Sequence, residues 1–318
     1  MMTSERPIFI VGVHRSGTTL LRYMLCSHPR IYIPPESDFI PRFFRRPQAP
    51  LERQQAMRVL ETIFSSCRFV QEWQGERPDP TAFVASLPDL LPATFLDTLY
   101  RRYVSQFGAQ RWGDKTPIYT SYMDLLAQLF PSAQFIHLIR DGRDVALSMI
   151  EKWGKSERHI DLYFAARSWK RRLRQAFASA TRLGRDRYYE LRYEQLAADP
   201  EPWLREICSF LGEEYVPAMV EPHILGRERI RPDGFHAAVR QPPSTGRVAR
   251  WRGEMSPADQ RLFLAVAGDM LRQLGYETVA LGPMPLSERA RLTGLGIKFV
   301  VLQAGRRALQ AVGVFHPN

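Results

Sequence analysis

The sequence contains little cysteine, with three residues in a chain of 318, Cys26, Cys67 and Cys208, and no CxxC pair. This odd number favours a reducing compartment and argues against a zinc site, and each cysteine is expected to be a small buried residue. A first strand predicted from about Pro7 leaves no room for a signal segment, and no apolar run reaches membrane-spanning length. The sequence therefore predicts a cytoplasmic protein.

A lysine is absent from the most informative motif. Residues 12–19 read Gly-Val-His-Arg-Ser-Gly-Thr-Thr and have the glycine spacing of a phosphate-binding P-loop, but Thr18 occupies the position of its lysine. In nucleotide-hydrolysing proteins that lysine reaches the outer phosphates, and the next hydroxyl binds magnesium. The motif follows a buried strand predicted over residues 7–12 and opens a helix near Thr19, whose first N–H groups would face an anion. The loop predicts a bound phosphate without ordinary ATP or GTP chemistry.

Acidic residues are in the minority. Lys and Arg number 44 against 33 Asp and Glu, a formal net charge of +11, and the hydrophobic fraction of 45% is that of an ordinary globular protein. The excess suits anionic ligands. The arginines are scattered and lack the interleaved aromatic residues of a single-strand binder, so no nucleic-acid partner is expected.

Strands alternate with helices along the chain. Strands are predicted over residues 31–33, 133–139 and 187–193 in addition to the first one, and residues 111–117 are predicted to form a second loop before a helix over 119–130. This order predicts an α/β protein of the P-loop type, with three layers, a central parallel sheet flanked by helices, and helical insertions. Ligands of such sheets bind at the carboxyl ends of the strands.

The chain is interpreted as one domain over residues 1–280 followed by a basic amphipathic tail over 281–318. Within the domain, residues 39–110 form a helical insertion that is expected to shape a substrate pocket. The tail could lie on a membrane surface as a peripheral contact, or pack on the domain as an ordinary helix.

Several short strings, in order between residues 7 and 276, resemble the sulfotransferases that use 3'-phosphoadenosine 5'-phosphosulfate (PAPS), and most closely the tyrosylprotein sulfotransferases and their bacterial relatives. They include Arg15-Ser-Gly-Thr-Thr-Leu20, His28-Pro29, Ile40-Pro41-Arg42, Leu129-Phe130-Pro131, Arg140-Asp-Gly-Arg143, Ser148-Met149-Ile150, Tyr193-Glu-Gln-Leu196 and Leu274-Gly-Tyr276.

PAPS carries a phosphosulfate group and a separate 3'-phosphate, so it requires two anion sites. The loop would bind the 5' end through Arg15, Ser16, Gly17, Thr18 and Thr19. Arginine suits bidentate phosphate contacts, and Arg140 with Ser148 would bind the 3'-phosphate. By resemblance, Tyr193 would lie near the adenine, and the segment with Arg247, Arg250 and Arg252 would cover the 3'-phosphate. The product would be adenosine 3',5'-bisphosphate.

Sulfuryl transfer requires a base for the acceptor hydroxyl and positive charge on the leaving oxygen. The resemblance implies Glu36 as general base, because it follows Arg15 at the family spacing, and Lys115 as the group that contacts the leaving oxygen. Arg15 is counted with them as catalytic, and no metal is expected. Without the resemblance, Glu36 could be a solvated loop residue, and Asp114 could simply pair with Lys115.

The acceptor remains open, because Pro35 and Asp38 stand where tyrosine-sulfating enzymes have an acidic residue and an arginine. Peptide tyrosine, a glycan, a lipid or a small natural product could receive the sulfuryl group. Two other functions are retained. A kinase-like P-loop enzyme would bind magnesium and ATP, and a non-catalytic membrane-surface module would depend on the tail.

Overall fold

The computed structural model describes residues 6–157, 159–229 and 237–311. Residues 1–5 of the predicted domain and 312–318 of the predicted tail lie outside these ranges. None of the helices within the described ranges combines the length and the apolar character needed to cross a membrane.

A parallel sheet forms the centre of the fold. Its strands are β1 (Ile8–Val11), β2 (Ile31–Tyr32), β3 (Arg111–Lys115), β4 (Gln134–Ile139) and β5 (Tyr188–Arg192). They are ordered β2-β3-β1-β4-β5, and each neighbouring pair is parallel. The predicted α/β class with a parallel sheet is confirmed, and all residues of β1 and β4 are buried, as expected for strands covered on both faces.

The prediction of a loop over residues 111–117 was wrong. Arg111 to Lys115 form β3, a fully buried strand that pairs with both β1 and β2. Glycine, aspartate and lysine are poor strand formers, so local propensity argued against a strand, but pairing on both edges overrides that preference. The predicted helix over 119–130 is a 3₁₀ turn, Pro117–Ser121, followed by a shorter α-helix, Met123–Leu129.

Helices are the other main elements of the described chain. They are α1 (Thr18–Cys26), α2 (Ile40–Phe43), α3 (Arg53–Ser66), α4 (Pro80–Ala85), α5 (Pro92–Ser105), α6 (Met123–Leu129), α7 (Gly142–Trp153), α8 (Leu162–Leu183), α9 (Tyr193–Ala198), α10 (Pro200–Leu211), α11 (Pro222–Arg229), α12 (Trp251–Glu254), α13 (Pro257–Gln273) and α14 (Leu286–Ala311). Additional 3₁₀ turns include Arg68–Glu72 and Thr245–Arg247.

The chain divides into two compact units. The sheet unit comprises residues 1–12, 17–139 and 175–245, as far as they are described, and the helical unit comprises 13–16, 140–174 and 246–318. In the sheet unit the ring of Phe9 contacts those of Trp112 and Phe135, with centroids 5.9 and 5.4 Å away. In the helical unit the fully buried Trp169 packs against Phe263 at 6.0 Å.

Candidate functional site

The loop after β1 depends on residues with left-handed backbone. Arg15 has a φ of 72° and Gly17 a φ of 91°, while the Ser16 N–H donates to the Val13 carbonyl at 3.0 Å. A Cβ on Gly17 would lie 2.3 Å from Cδ2 of Tyr193. Both the conformation and the close approach therefore require glycine at position 17.

Polar groups without internal partners line this loop. Ser16 is fully buried, and among the described residues its Oγ has no hydrogen-bond partner. Helix α1 starts at Thr18, which is buried, and no side chain caps its N-terminus. A buried hydroxyl and uncapped N–H groups both require an acceptor. A phosphate or sulfate oxygen would satisfy them. Thr19 lies next in the same helical turn and is half-buried.

In the helical unit the structure brings four predicted site residues together. The Arg15 Nε donates to Ser148 Oγ at 2.9 Å, and the Arg140 Nη1 donates to the Arg15 carbonyl at 2.9 Å. The Arg140 Nη2 donates to the Arg247 carbonyl. Arg140 and Ser148 are buried, with 4% and 2% of their surface exposed. A guanidinium and a hydroxyl fixed in this way can contact one phosphate group.

Asp144 fixes the segment that contains Arg247. Its carboxylate accepts hydrogen bonds from the Ala249 N–H at 2.8 Å and the Trp251 N–H at 3.0 Å, and Ala249 has a φ of 56°. The Trp251 ring lies on the guanidinium of Arg143, 3.4 Å from the ring centroid, an arrangement that favours the cation. Burial raises the pKa of Asp144.

Sequence reasoning missed both Asp144 and Trp251. Asp144 occupies the first turn of α7, directly after the Arg140–Arg143 string, and no property of the sequence distinguishes it from an ordinary helix-start carboxylate. The tryptophan inside the cationic segment 244–252 was a usable signal, because a large apolar ring there must pack somewhere.

The other two arginines of the cationic segment contact carboxylates. Arg250 pairs with Glu254 at 2.8 Å and with Glu151 at 3.3 Å. Arg252 pairs with Glu277, and 62% of its side chain is exposed. Of the three arginines predicted to cover a 3'-phosphate, Arg247 is the one that adjoins Arg140 in this structure.

Glu36 and Lys115 form an ion pair in the sheet unit. Lys115 is the last residue of β3, and Glu36 follows β2 by four residues. Because β2 and β3 are parallel neighbours, their carboxyl ends lie at the same edge of the sheet, and the two side chains meet there. The side chain of Lys115 is 3% exposed and that of Glu36 is 18% exposed, and Arg68 lies 3.8 Å from the other carboxylate oxygen.

Burial lowers the pKa of Lys115, and the charge of Glu36 opposes that shift. Glu36 therefore favours the charged form of the ammonium. The alternative pairing of Lys115 with Asp114 is not what the structure shows: Asp114 is the preceding strand residue, and it accepts a hydrogen bond from the Tyr100 hydroxyl. Successive strand residues point to opposite faces.

A buried network supports the segment after Glu36. The Ser37 N–H donates to Thr116 Oγ1 at 3.0 Å, and the Ser37 and Tyr119 hydroxyls lie 2.5 Å apart. The Tyr119 hydroxyl also accepts from the Ile40 N–H at 3.2 Å. The 3₁₀ turn that replaced the predicted helix carries Tyr119, so that correction affects the site directly.

Asp114 and Thr120 complete this support, and neither was assigned to the site from the sequence. Burial raises the pKa of Asp114 to about 6. The Thr120 Oγ1 accepts from the Gly12 N–H at 2.8 Å and donates to the Gly12 carbonyl at 2.9 Å, which fixes the beginning of the loop.

Comparison with known proteins gives the family. The family model described as "Sulfotransferase family" matches residues 7–217, about two thirds of the chain. The chain belongs to the sulfotransferase family. The match contains the loop, Glu36, Lys115, Arg140, Ser148 and Tyr193, and it ends before the segment with Arg247.

Curated relatives of this sulfotransferase include three that are each 27% identical to it. The protein-tyrosine sulfotransferase of Drosophila melanogaster aligns with 87% of the chain and protein-tyrosine sulfotransferase 1 of Danio rerio with 87%. Nodulation protein NoeE of Sinorhizobium fredii aligns with 85%. The chain spans 52%, 74% and 65% of the lengths of these three proteins, respectively.

Solved structures of sulfotransferase domains have a similar fold. The sulfotransferase domain from the Synechococcus PCC 7002 olefin synthase has a TM-score of 0.58 and 25% identity, covering 86% of this chain and 97% of that domain. The sulfotransferase domain from the curacin biosynthetic pathway has a TM-score of 0.56 and 21% identity, covering 86% and 99%, and it supports the fold.

Proposed function

We propose that this protein transfers a sulfuryl group from PAPS to a hydroxyl acceptor. The observation that carries the proposal is the buried ion pair of Glu36 and Lys115 at the carboxyl edge of the sheet. It supplies a base and a cation in a protein whose phosphate loop has no lysine. Family membership supports the same reaction.

The residues of the loop fit a phosphorylated donor. The buried Ser16 Oγ has no partner among the described residues, so an incoming anion would satisfy it. Gly17, Thr18 and Thr19 would contribute N–H groups and hydroxyls to the 5' end, and Tyr193, whose ring lies against Gly17, is proposed to lie near the adenine. These positions suit PAPS as donor substrate and adenosine 3',5'-bisphosphate as product.

Arg140, Ser148 and the Arg247 segment would bind the 3'-phosphate, while Arg15, which contacts Ser148, would serve the 5' end. Arg140 already donates to two backbone carbonyls, so its orientation is fixed before a ligand arrives. Preorganised donors favour binding because less side-chain entropy is lost. Arg250 and Arg252 are proposed as weaker contributors, since both pair with carboxylates.

Glu36 accepts the proton of the acceptor hydroxyl while the oxygen of that hydroxyl forms a bond to sulfur. The bond between sulfur and the 5'-phosphate oxygen breaks, and negative charge develops on that oxygen. Lys115 would neutralise this charge. Lys115 and Arg68 place positive charge beside the Glu36 carboxylate, which suits a general base. Arg15 adds a second cation on the loop.

The acceptor pocket is proposed to be shaped by helices of residues 39–110. An open cavity in the sheet unit is lined by two residues of that segment, Pro41 and Arg45. Its other lining residues are Tyr122, Leu125 and Gln128. Two of the curated relatives are named as protein-tyrosine sulfotransferases, which makes peptide tyrosine one acceptor to test. Glycans, lipids and small natural products also have hydroxyl groups and are the other acceptor classes to test.

The experiment is a transfer screen with radiolabelled PAPS over peptide, glycan and lipid fractions, read as labelled product. Label in one fraction identifies the acceptor class. Calorimetric titration tests the donor separately: Arg140→Ala is expected to weaken adenosine 3',5'-bisphosphate more than adenosine 5'-phosphate, because only the former has a 3'-phosphate. Equal losses, or tight binding of magnesium ATP without binding of the bisphosphate, would favour a kinase-like enzyme instead.

A further inference from the structure

Helix α14 has one face that packs on the helical unit. The Phe299 ring contacts the rings of Tyr163 and Phe164, with centroids 5.9 and 6.2 Å away, and Arg167 lies over Phe299 at 4.8 Å. Lys298 pairs with Asp161 at 2.8 Å. One side of the helix therefore packs on α8 and the residue before it. These contacts leave the opposite side uncovered.

The opposite side is apolar and exposed. Leu286, Ile297, Val300 and Val301 have 81%, 61%, 64% and 63% of their surface exposed. At about 100° per residue these positions fall within a sector of about 100° of the helix circumference. Ala290, Thr293 and Ala304 are exposed in the same sector, which contains no charged residue. We call these seven residues the apolar stripe.

The charges of α14 lie outside the stripe and are mostly positive. Arg289 borders it on one side, and Arg291 and Lys298 lie beyond its other edge, where they pair with Asp259 at 3.0 Å and with Asp161 at 2.8 Å. Glu288 lies toward the packed face and pairs with Arg261 at 2.6 Å. Over residues 286–311 the sequence has five Lys or Arg and one Glu. An apolar stripe bordered by cations on both sides is the pattern of a helix that lies in the plane of a membrane surface.

A second copy of the chain fits this face less well. A two-fold contact places the same surface on both subunits, so the cationic borders of one helix would meet those of the other. Like charges at close range oppose such a contact. An anionic surface is complementary to the borders, and its acyl region is complementary to the stripe.

We propose that the apolar stripe of α14 binds an anionic lipid bilayer, with the helix parallel to the membrane plane. Over residues 286–304 the stripe is about 27 Å long, so it presents several apolar side chains to the interface at once. The two valines contribute exposed apolar area at its two edges, and the net positive charge of the helix sequence contributes electrostatic attraction that salt screens.

The test is flotation of the full chain with vesicles of phosphatidylcholine alone or mixed with phosphatidylglycerol. Binding is expected only to the anionic vesicles and is expected to weaken as salt is added. The double variant Val300→Asp, Val301→Asp should lower the partition coefficient about a hundredfold, since each valine contributes on the order of a tenfold factor when buried. Both side chains are exposed, so the fold should persist, and circular dichroism checks this.

Val279→Asp is the matched control. It makes the same exchange at a residue that is 39% exposed and precedes α14, and it should bind vesicles as the wild type does. Failure of the wild type to float with anionic vesicles would overturn the proposal, and so would unchanged flotation of the double variant. A dimer in light scattering that the double variant dissolves, without vesicle binding, would assign the stripe to a second copy instead.

Discussion

Replacing Glu36 by glutamine separates its proposed role as base from its structural role. The amide keeps an oxygen in the position that accepts from Lys115, but it cannot take a proton and it carries no charge. General-base catalysis contributes about 10² to 10⁴ in rate. The same exchange removes the charge that opposes the lowered pKa of Lys115, so the ammonium is disfavoured as well. We therefore expect kcat to fall on the order of 10³-fold.

Donor binding should change little, because the residues proposed to hold PAPS do not include Glu36. We expect the Kd of adenosine 3',5'-bisphosphate to remain within about threefold, and unfolding free energy to fall by at most about 2 kcal/mol, since the pair is mostly buried but the amide preserves one hydrogen bond. Asp38→Asn is the matched control. It removes an exposed carboxylate two residues away and should retain most of the turnover.

The assays are single-turnover transfer from PAPS to the acceptor found in the screen and calorimetry with the bisphosphate. Turnover of the Glu36→Gln variant at the wild-type rate would refute the assignment of the base. Equal losses in both variants would show that negative charge near Lys115, rather than proton transfer, is what the reaction needs.

Further substitutions test the supporting structure. Gly17→Ala should destabilise the protein by about 2 kcal/mol or more in urea unfolding, because a φ of 91° and the Tyr193 ring both exclude a side chain; an unchanged midpoint would contradict this. Asp144→Asn should weaken the bisphosphate about tenfold in calorimetry and leave adenosine 5'-phosphate unchanged, because an amide cannot accept from both the Ala249 and Trp251 N–H groups. The raised pKa of Asp114, about 6, stabilises the fold below pH ~4, and this contribution is lost as the pH rises through 6. Relative to Asp114→Asn, wild-type unfolding free energy should therefore fall by about 3 kcal/mol over that window, and a constant difference would exclude the titration.

The fold could be predicted, and the residues proposed to hold the donor could be singled out, because their signals are local. The glycine spacing of the loop, the apolar run before it and the arginine at the end of β4 each occupy a few consecutive residues. Buried parallel strands appear as short apolar runs, and β1 and β4 fit that description. Family resemblance then linked these segments to residues as distant as Glu36 and Lys115.

β3 could not be predicted in this way. Its sequence, Arg-Trp-Gly-Asp-Lys, has one large apolar residue, and its charged side chains are buried only because partners come from distant segments. Arg111 donates to the Leu211 carbonyl at 2.7 Å and Asp114 accepts from Tyr100. Local pattern carries no information about such partners, so a buried polar strand is indistinguishable from an exposed loop.

The displacement of the lysine from the loop to β3 has a physical consequence for the proposed chemistry. A lysine in a P-loop stands at the start of a helix, among N–H groups that carry partial positive charge. At the end of β3 the ammonium instead lies beside a carboxylate, in a buried position where its charge depends on that partner. Removal of Glu36 therefore disfavours the charged form of Lys115. The proposed base and the proposed cation contact each other, so the effects of Glu36→Gln and Lys115→Met on turnover should be strongly non-additive in a double-mutant cycle.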